Sequence, residues 1–145
     1  MTKHYEGLEH IEKDKAYIFA ANHIGLIDSP FIASVLLKKL DHRIHFLAKE
    51  ELIKQYGKFI TQKVLRLIPV RWSDPGKSIN EAQTWLQRGE SVAIFPEGRR
   101  NTAPYLVKGK TGVARLALSS RMPVVPISYQ GPIPSKAQEK SIFSP

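Results

Sequence analysis

The chain has 145 residues, 42% of them hydrophobic, which supplies one core of ordinary domain size and leaves too few residues for two; disorder is excluded over most of its length. It contains no Cys, so disulfide scaffolds, thiolate metal sites and cysteine nucleophiles are excluded. A net charge of +9, from 22 Lys and Arg against 13 Asp and Glu, points to an anionic partner: nucleic acid, a phosphorylated small molecule or an acidic lipid surface.

In chain order, Met1-Thr2-Lys3-His4-Tyr5-Glu6 carries an acidic residue before any apolar run, unlike a secretory signal, so a cytoplasmic location is expected. The apolar run 16–21 stops at Asn22, far short of the roughly 18 residues that a membrane-spanning helix needs, and reads as a strand. Where it ends stand Asn22-His23-Ile24-Gly25-Leu26-Ile27-Asp28. A tight loop can bring the Asp28 carboxylate to the His23 imidazole, fix its tautomer and leave the other nitrogen as a general base for a hydroxyl. The plainer alternative is that Asp28 only caps the next helix and His23 is an incidental loop residue. Ser29-Pro30 reads as N-cap and first helical position, which places a helix over 30–40.

A second strand is expected at 44–48. His42 and His45 beside it are three apart, on opposite faces of a strand, with no carboxylate cluster nearby, so no metal site is expected there or elsewhere. Over 50–68, Leu52, Ile53, Tyr56, Phe59, Ile60, Val64, Leu67 and Ile68 recur at helical spacing, with Lys54, Lys58, Lys63 and Arg66 between them. This is an amphipathic basic helix, or two parted near Gly57, whose stripe either faces the core or lies on a membrane surface. A third strand at 69–72 contains Arg71, and Asp74-Pro75 and Arg88-Gly89 bracket the next helix.

The fourth strand, 91–95, runs into Pro96-Glu97-Gly98-Arg99-Arg100. Gly98 lets the backbone approach a ligand, and the guanidinium of Arg99 or Arg100 can grip a phosphate with paired donors. The alternative is an ordinary charged turn. Gly109-Lys110-Thr111 is not a P-loop, because Pro104 stands where a glycine is required, and no Gly-x-Ser-x-Gly elbow is present. A helix over 111–120 and a strand over 123–128 follow, and the tail 131–145, rich in Pro, Ser and Lys, reads as a loosely held end. Strands alternating with helices define an α/β domain, and the mostly non-alternating apolar strands imply a parallel sheet covered on both faces.

Together these elements resemble the glycerolipid acyltransferase family, which includes 1-acylglycerol-3-phosphate acyltransferases, over 7–131. Asn22-His23 with Asp28 is similar to its His-x4-Asp signature, Phe95-Pro96-Glu97-Gly98 with Arg100 to its second signature, and Val124-Val125-Pro126-Ile127 to the apolar segment that follows. Lys49-Glu50-Glu51-Leu52, Pro69-Val70-Arg71 and Lys110-Thr111-Gly112 resemble the intervening segments. Two departures are Arg99, where the family usually has Thr, and Gly25, where Ser is common.

The resemblance implies a single glycerol-3-phosphate acyltransferase-like α/β domain over 1–145, with a mostly parallel central sheet flanked by helices. Because the family fold usually continues past the strand containing Ile127, a domain cut short at Pro145 is one of the expectations. His23, oriented by Asp28, would deprotonate an acceptor hydroxyl that attacks the thioester of acyl-CoA or acyl-carrier protein directly. Glu97, Gly98, Arg99, Arg100 and Arg71 would hold a lysophospholipid or glycerol-phosphate acceptor, the arginines on its phosphate. No cofactor, metal or nucleic acid is then expected. The partner surface is an anionic membrane, reached peripherally from the inner face. A non-catalytic basic module for anionic lipid or nucleic acid is the alternative; it explains the charge but not the two acid-containing motifs at strand ends. An inactive acyltransferase-like domain is a third reading.

Overall fold

The computed structural model describes residues 5–25, 28–71, 73–101, 103 and 105–128. Five parallel strands form one sheet: β1 (Ile18–Ala21), β2 (Ile44–Lys49), β3 (Leu67–Val70), β4 (Ser91–Ile94) and β5 (Val124–Ile127), in the spatial order β3-β2-β4-β1-β5. Helices α1 (Asp28–Leu36), α2 (Glu50–Tyr56), α3 (Pro75–Gln87) and α4 (Gly112–Ser120) lie between them.

Side-chain alternation along each strand sorts the core into two layers. Phe19, Phe46 and Ala93 pack with Ile32 and Leu36 of α1 on one face; Ile18, Val92, Ile94 and Ile68 pack with Ala82 and Leu86 of α3 and Leu116 of α4 on the other. Since α1 and α4 depart to opposite faces from the neighbouring strands β1 and β4, a crevice opens at their carboxyl ends, where open α/β sheets place their ligands.

The expected strands and helices are present with shifted ends. Helix α1 starts two residues before the expected Pro30, with Asp28, Ser29 and Pro30 all in its first turn, and it ends at Leu36. Helix α3 begins as expected, with the Lys77 N–H donating to the Asp74 side chain (3.1 Å) and Pro75 in the first turn. Strand β3 comes two residues early, and Trp72 lies outside the described residues, as does the tail 131–145. Strand β5 departs from full coverage on both faces: it is an edge strand with Val124 exposed, the position at which Pro126 costs no interior ladder bond.

The segment 50–68 is a helix pair parted at Gly57, whose φ of +82° ends α2. A short π-helix, Phe59–Val64, follows, with the Thr61 hydroxyl bonded back to the Gly57 carbonyl (2.8 Å). The segment's stripe is divided: Ile68 lies in the core and Leu67 packs on it, whereas the part over 59–65 faces outward. Ile53 and Thr61 are buried, but Phe59 is 73% exposed and Ile60, Val64 and Leu65 are each at least half exposed.

The two histidines set aside as metal ligands have structural partners. His42 Nε2 lies 2.7 Å from the Ser91 hydroxyl, while buried His45 pairs with Glu90 and stacks on Trp85 (4.1 Å between centroids). Burial holds the His45 imidazole below its ordinary pKa, outweighing the upward pull of Glu90, and Arg66 and Arg43 add to the lowering. In the unfolded chain His45 takes up a proton that the folded protein resists, so its contribution to stability is present above the ordinary His pKa and declines as pH falls through it. Urea midpoints should therefore drop between about pH 7.5 and about 5.5, and less steeply in His45→Asn. Equal slopes in the two proteins would assign the pH dependence to other groups.

Candidate active site

The first motif turns sharply at the end of β1, and Asp28 is what holds the turn. One oxygen of this fully buried carboxylate, Oδ2, accepts from the Ile24 N–H (2.6 Å), the Gly25 N–H (2.8 Å) and His23 Nδ1 (2.8 Å). Three donors on one carboxylate oxygen fix the loop and the ring together. With Nδ1–H committed to Asp28, the neutral imidazole presents Nε2 as a base.

The second motif grips the same residue from the adjacent strand. The Phe95 ring stacks on His23 at 4.2 Å between centroids and 18° between planes. Glu97, buried, accepts the His23 N–H on Oε1 (3.3 Å), while the Asn101 N–H donates to the His23 carbonyl (2.7 Å). Main chain and ring of His23 are thus both held by the segment after β4, which fixes the imidazole in one geometry. Asn101 is itself pinned, donating to the Tyr105 carbonyl (2.7 Å) and accepting from the Ala103 N–H (2.9 Å). The outer oxygens Asp28 Oδ1 and Glu97 Oε2 are buried without a hydrogen-bond partner among the described residues.

His23 lines a cleft of about 680 Å³, within the usual size for a small-ligand site. Its inner wall is apolar, built by Leu47, Val70, Ile79, Ile94 and Val113. Its mouth is basic, with Lys49, Arg99, Arg100, Lys110 and Arg115, and no acidic side chain is among the described residues that line it. Gly98 adopts a left-handed φ of +67°, and a Cβ there would stand 3.1 Å from Lys110 Nζ, so the glycine lets the lysine fold across the turn.

Of the residues expected to contact a ligand, Gly98, Arg99 and Arg100 line the cleft with His23. Glu97 and Arg71 are placed differently. Glu97 is turned inward, accepting the His23 main-chain N–H, and is not among the cleft-lining residues. Arg71 donates from Nε to Glu50 Oε1 (2.8 Å) and lines a smaller neighbouring depression of about 360 Å³ with Lys54, Lys58 and Gln62. Phe95, Asn101 and Lys110 carried no role in the sequence reading. Gly109-Lys110-Thr111 stands out in the sequence as a failed P-loop and Lys110-Thr111-Gly112 as a family-like segment; in the fold the Lys110 N–H donates to the Pro96 carbonyl (2.7 Å) and its side chain lines the cleft.

The fold is a parallel α/β domain in which an Asp-oriented histidine stands at a strand end, beside a cleft lined by apolar and basic side chains. Residues 3–130 match the Acyltransferase family, and the chain belongs to it. It is 34% identical over 131 residues to the 1-acyl-sn-glycerol-3-phosphate acyltransferase of Bacillus subtilis, covering 88% of this chain and 62% of that protein. The human 1-acyl-sn-glycerol-3-phosphate acyltransferase alpha is 28% identical over 131 residues, covering 86% of this chain and 45% of that one. The crystal structure of the 1-acyl-sn-glycerophosphate acyltransferase from Thermotoga maritima superimposes with a TM-score of 0.62 at 30% identity, covering 83% of this chain and 46% of that one. The chain thus spans roughly half to three-fifths of the length of these relatives.

Proposed function

We propose that this domain transfers a fatty acyl group from an acyl thioester, acyl-CoA or acyl-carrier protein, to a hydroxyl of a 1-acylglycerol-3-phosphate or related lysophospholipid acceptor. The observation that carries the reading is His23 itself: its Nδ1 is committed to Asp28, and the ring lines a cleft with a cation-rich mouth and an apolar wall. His23 Nε2 takes the acceptor's hydroxyl proton as its oxygen attacks the thioester carbonyl. The C–O bond forms, the C–S bond breaks, and the thiolate leaves with the proton that His23 returns. Arg99, Arg100 and Arg71 bind the acceptor's phosphate beside Gly98, and Glu97 keeps His23 in place. The named relatives act in the same chemical class, which supports the choice of acceptor.

No helix among the described residues is long and apolar enough to cross a membrane. The exposed apolar and basic face of 50–66 supports a peripheral contact with an anionic bilayer, on its cytoplasmic face, where a lysophospholipid acceptor would be met. Thiol release with long-chain acyl-CoA and acyl-carrier protein, against a panel of lysophospholipids and glycerol-3-phosphate, tests the reaction. No release with any pair would leave a binding module.

The phosphate role separates from the chemistry in kinetics. Arg100→Gln and Arg71→Gln are expected to raise the acceptor KM or lower kcat/KM with little change in the donor KM, since a lost phosphate contact is lost positioning. A phosphate-free acceptor such as a monoacylglycerol should feel either change less. Equal losses on both acceptors would remove these arginines from the phosphate.

A further inference from the structure

The segment after Gly98 leaves the cleft and returns to it. Arg100 and Lys110, at its two ends, both line the cleft. The closure is tight: besides the Lys110 N–H bond to the Pro96 carbonyl, Gly109 lies so near Pro96 that a Cβ there would stand 3.2 Å from the proline's own. Within the loop, buried Asn101 holds the Tyr105 carbonyl and the Ala103 N–H with its side chain, while its N–H holds the His23 carbonyl. A loop braced in this way has a set position relative to the base. Two of its side chains are nevertheless large, mainly apolar and open: Tyr105 is 69% exposed and Leu106 77%, so neither contributes to the core. Exposed Lys108 follows them, and the cleft in which the loop is rooted has five cationic and no acidic side chains among its described lining residues.

We propose that Tyr105 and Leu106 form a tip that enters an anionic bilayer and sets the cleft against its surface, so that an acceptor seated in the bilayer meets His23. The inference rests on the reading of the chain as a peripheral acyltransferase. A tyrosine followed by a leucine suits the boundary between head groups and acyl chains: the ring lies in the interface with its hydroxyl wet, and the branched chain enters below. The cations lining the cleft favour an acidic surface over a neutral one. Lys49 and Leu52, at the start of the helix pair that carries the exposed 59–65 face, line the same cleft, so that face and the tip are attached around one opening. By itself so short an apolar tip binds only marginally, as a single acyl chain does. The 59–65 face holds the protein, and the tip orients it.

Two readouts test the tip, with phosphatidylglycerol vesicles at a lipid concentration that binds all of the protein in flotation. In the first, Leu106→Trp is compared with the unaltered protein for fluorescence quenching by brominated acyl chains. Added quenching is expected, and its absence overturns the proposal whether or not acyl transfer is detected. The second reads transfer from acyl-CoA by Tyr105→Ser with Leu106→Ser. Its kcat/KM should fall about tenfold or more for a long-chain 1-acylglycerol 3-phosphate in the vesicles, as lost positioning predicts, and less than about twofold for a short-chain one that stays monomeric in water. Both sites are exposed, so unfolding midpoints should stay in place. Equal losses on the two acceptors would make the tip part of the acceptor site or of the fold, and unchanged rates would leave it without a role; either result overturns the proposal. So would a raised KM for acyl-carrier protein without quenching, which would assign the tip to a protein donor. If the unaltered protein does not float with the vesicles, the peripheral reading itself falls, and the tip with it.

Discussion

His23→Ala is expected to slow acyl transfer by about two orders of magnitude or more with the fold intact, because a positioned general base commonly contributes on that scale. The structure adds a reason for that size. Ring stacking on Phe95, the Nδ1 bond to Asp28 and two main-chain bonds hold the imidazole in one place, as a positioned base requires. Asp28→Asn should be nearly as severe: an amide in this position can present its NH2 to Nδ1 and drive the ring to the tautomer whose Nε2 carries a hydrogen. The double variant should lose little more than the worse single one, since both remove the same base. Because Oδ2 of Asp28 also anchors Ile24 and Gly25, thermal unfolding must accompany the kinetics, and His23→Gln separates lost basicity from lost loop geometry. Near-native turnover by folded His23→Ala would remove His23 from the chemistry.

What the sequence disclosed follows from which interactions are local. Strand runs, the Asp74-Pro75 start of α3 and the reach of Asp28 to His23 depend on residues within five positions of one another, and all were readable. The support of His23 by Phe95, Glu97 and Asn101 spans more than 70 positions and exists only because β4 inserts beside β1, a strand order that periodicity does not encode. Glu97 shows the consequence. A charged residue at a strand end reads as ligand-facing, yet the parallel register of β1 with β4 carries it against the His23 amide. Arg71 went the same way: its partner Glu50 lies 21 positions back, on the helix after the neighbouring strand.

The amphipathic segment shows a limit of another kind, because spacing reveals an apolar stripe but not which side of the molecule it faces. Here its 59–65 part is open, and it carries the second large expected effect. Phe59, Ile60, Val64 and Leu65 stand exposed among Lys58 and Lys63, an arrangement suited to a bilayer surface in which the cations meet acidic head groups and the rings and branched chains enter below them. Lys58→Glu with Lys63→Glu reverses two charges and should weaken binding to phosphatidylglycerol vesicles by more than roughly tenfold. Phe59→Ser with Ile60→Ser should act on a different component. Apolar burial is not screened, so the unaltered protein is expected to stay partly bound at high salt, whereas this pair should be released fully. Flotation at low and high salt reads both components in one experiment. The domain's own fold supplies the control, because these four side chains contribute little to its core and their replacement should leave the unfolding midpoint nearly unchanged. Vesicle binding that survives both pairs of substitutions would mean that this face is not what meets the lipid.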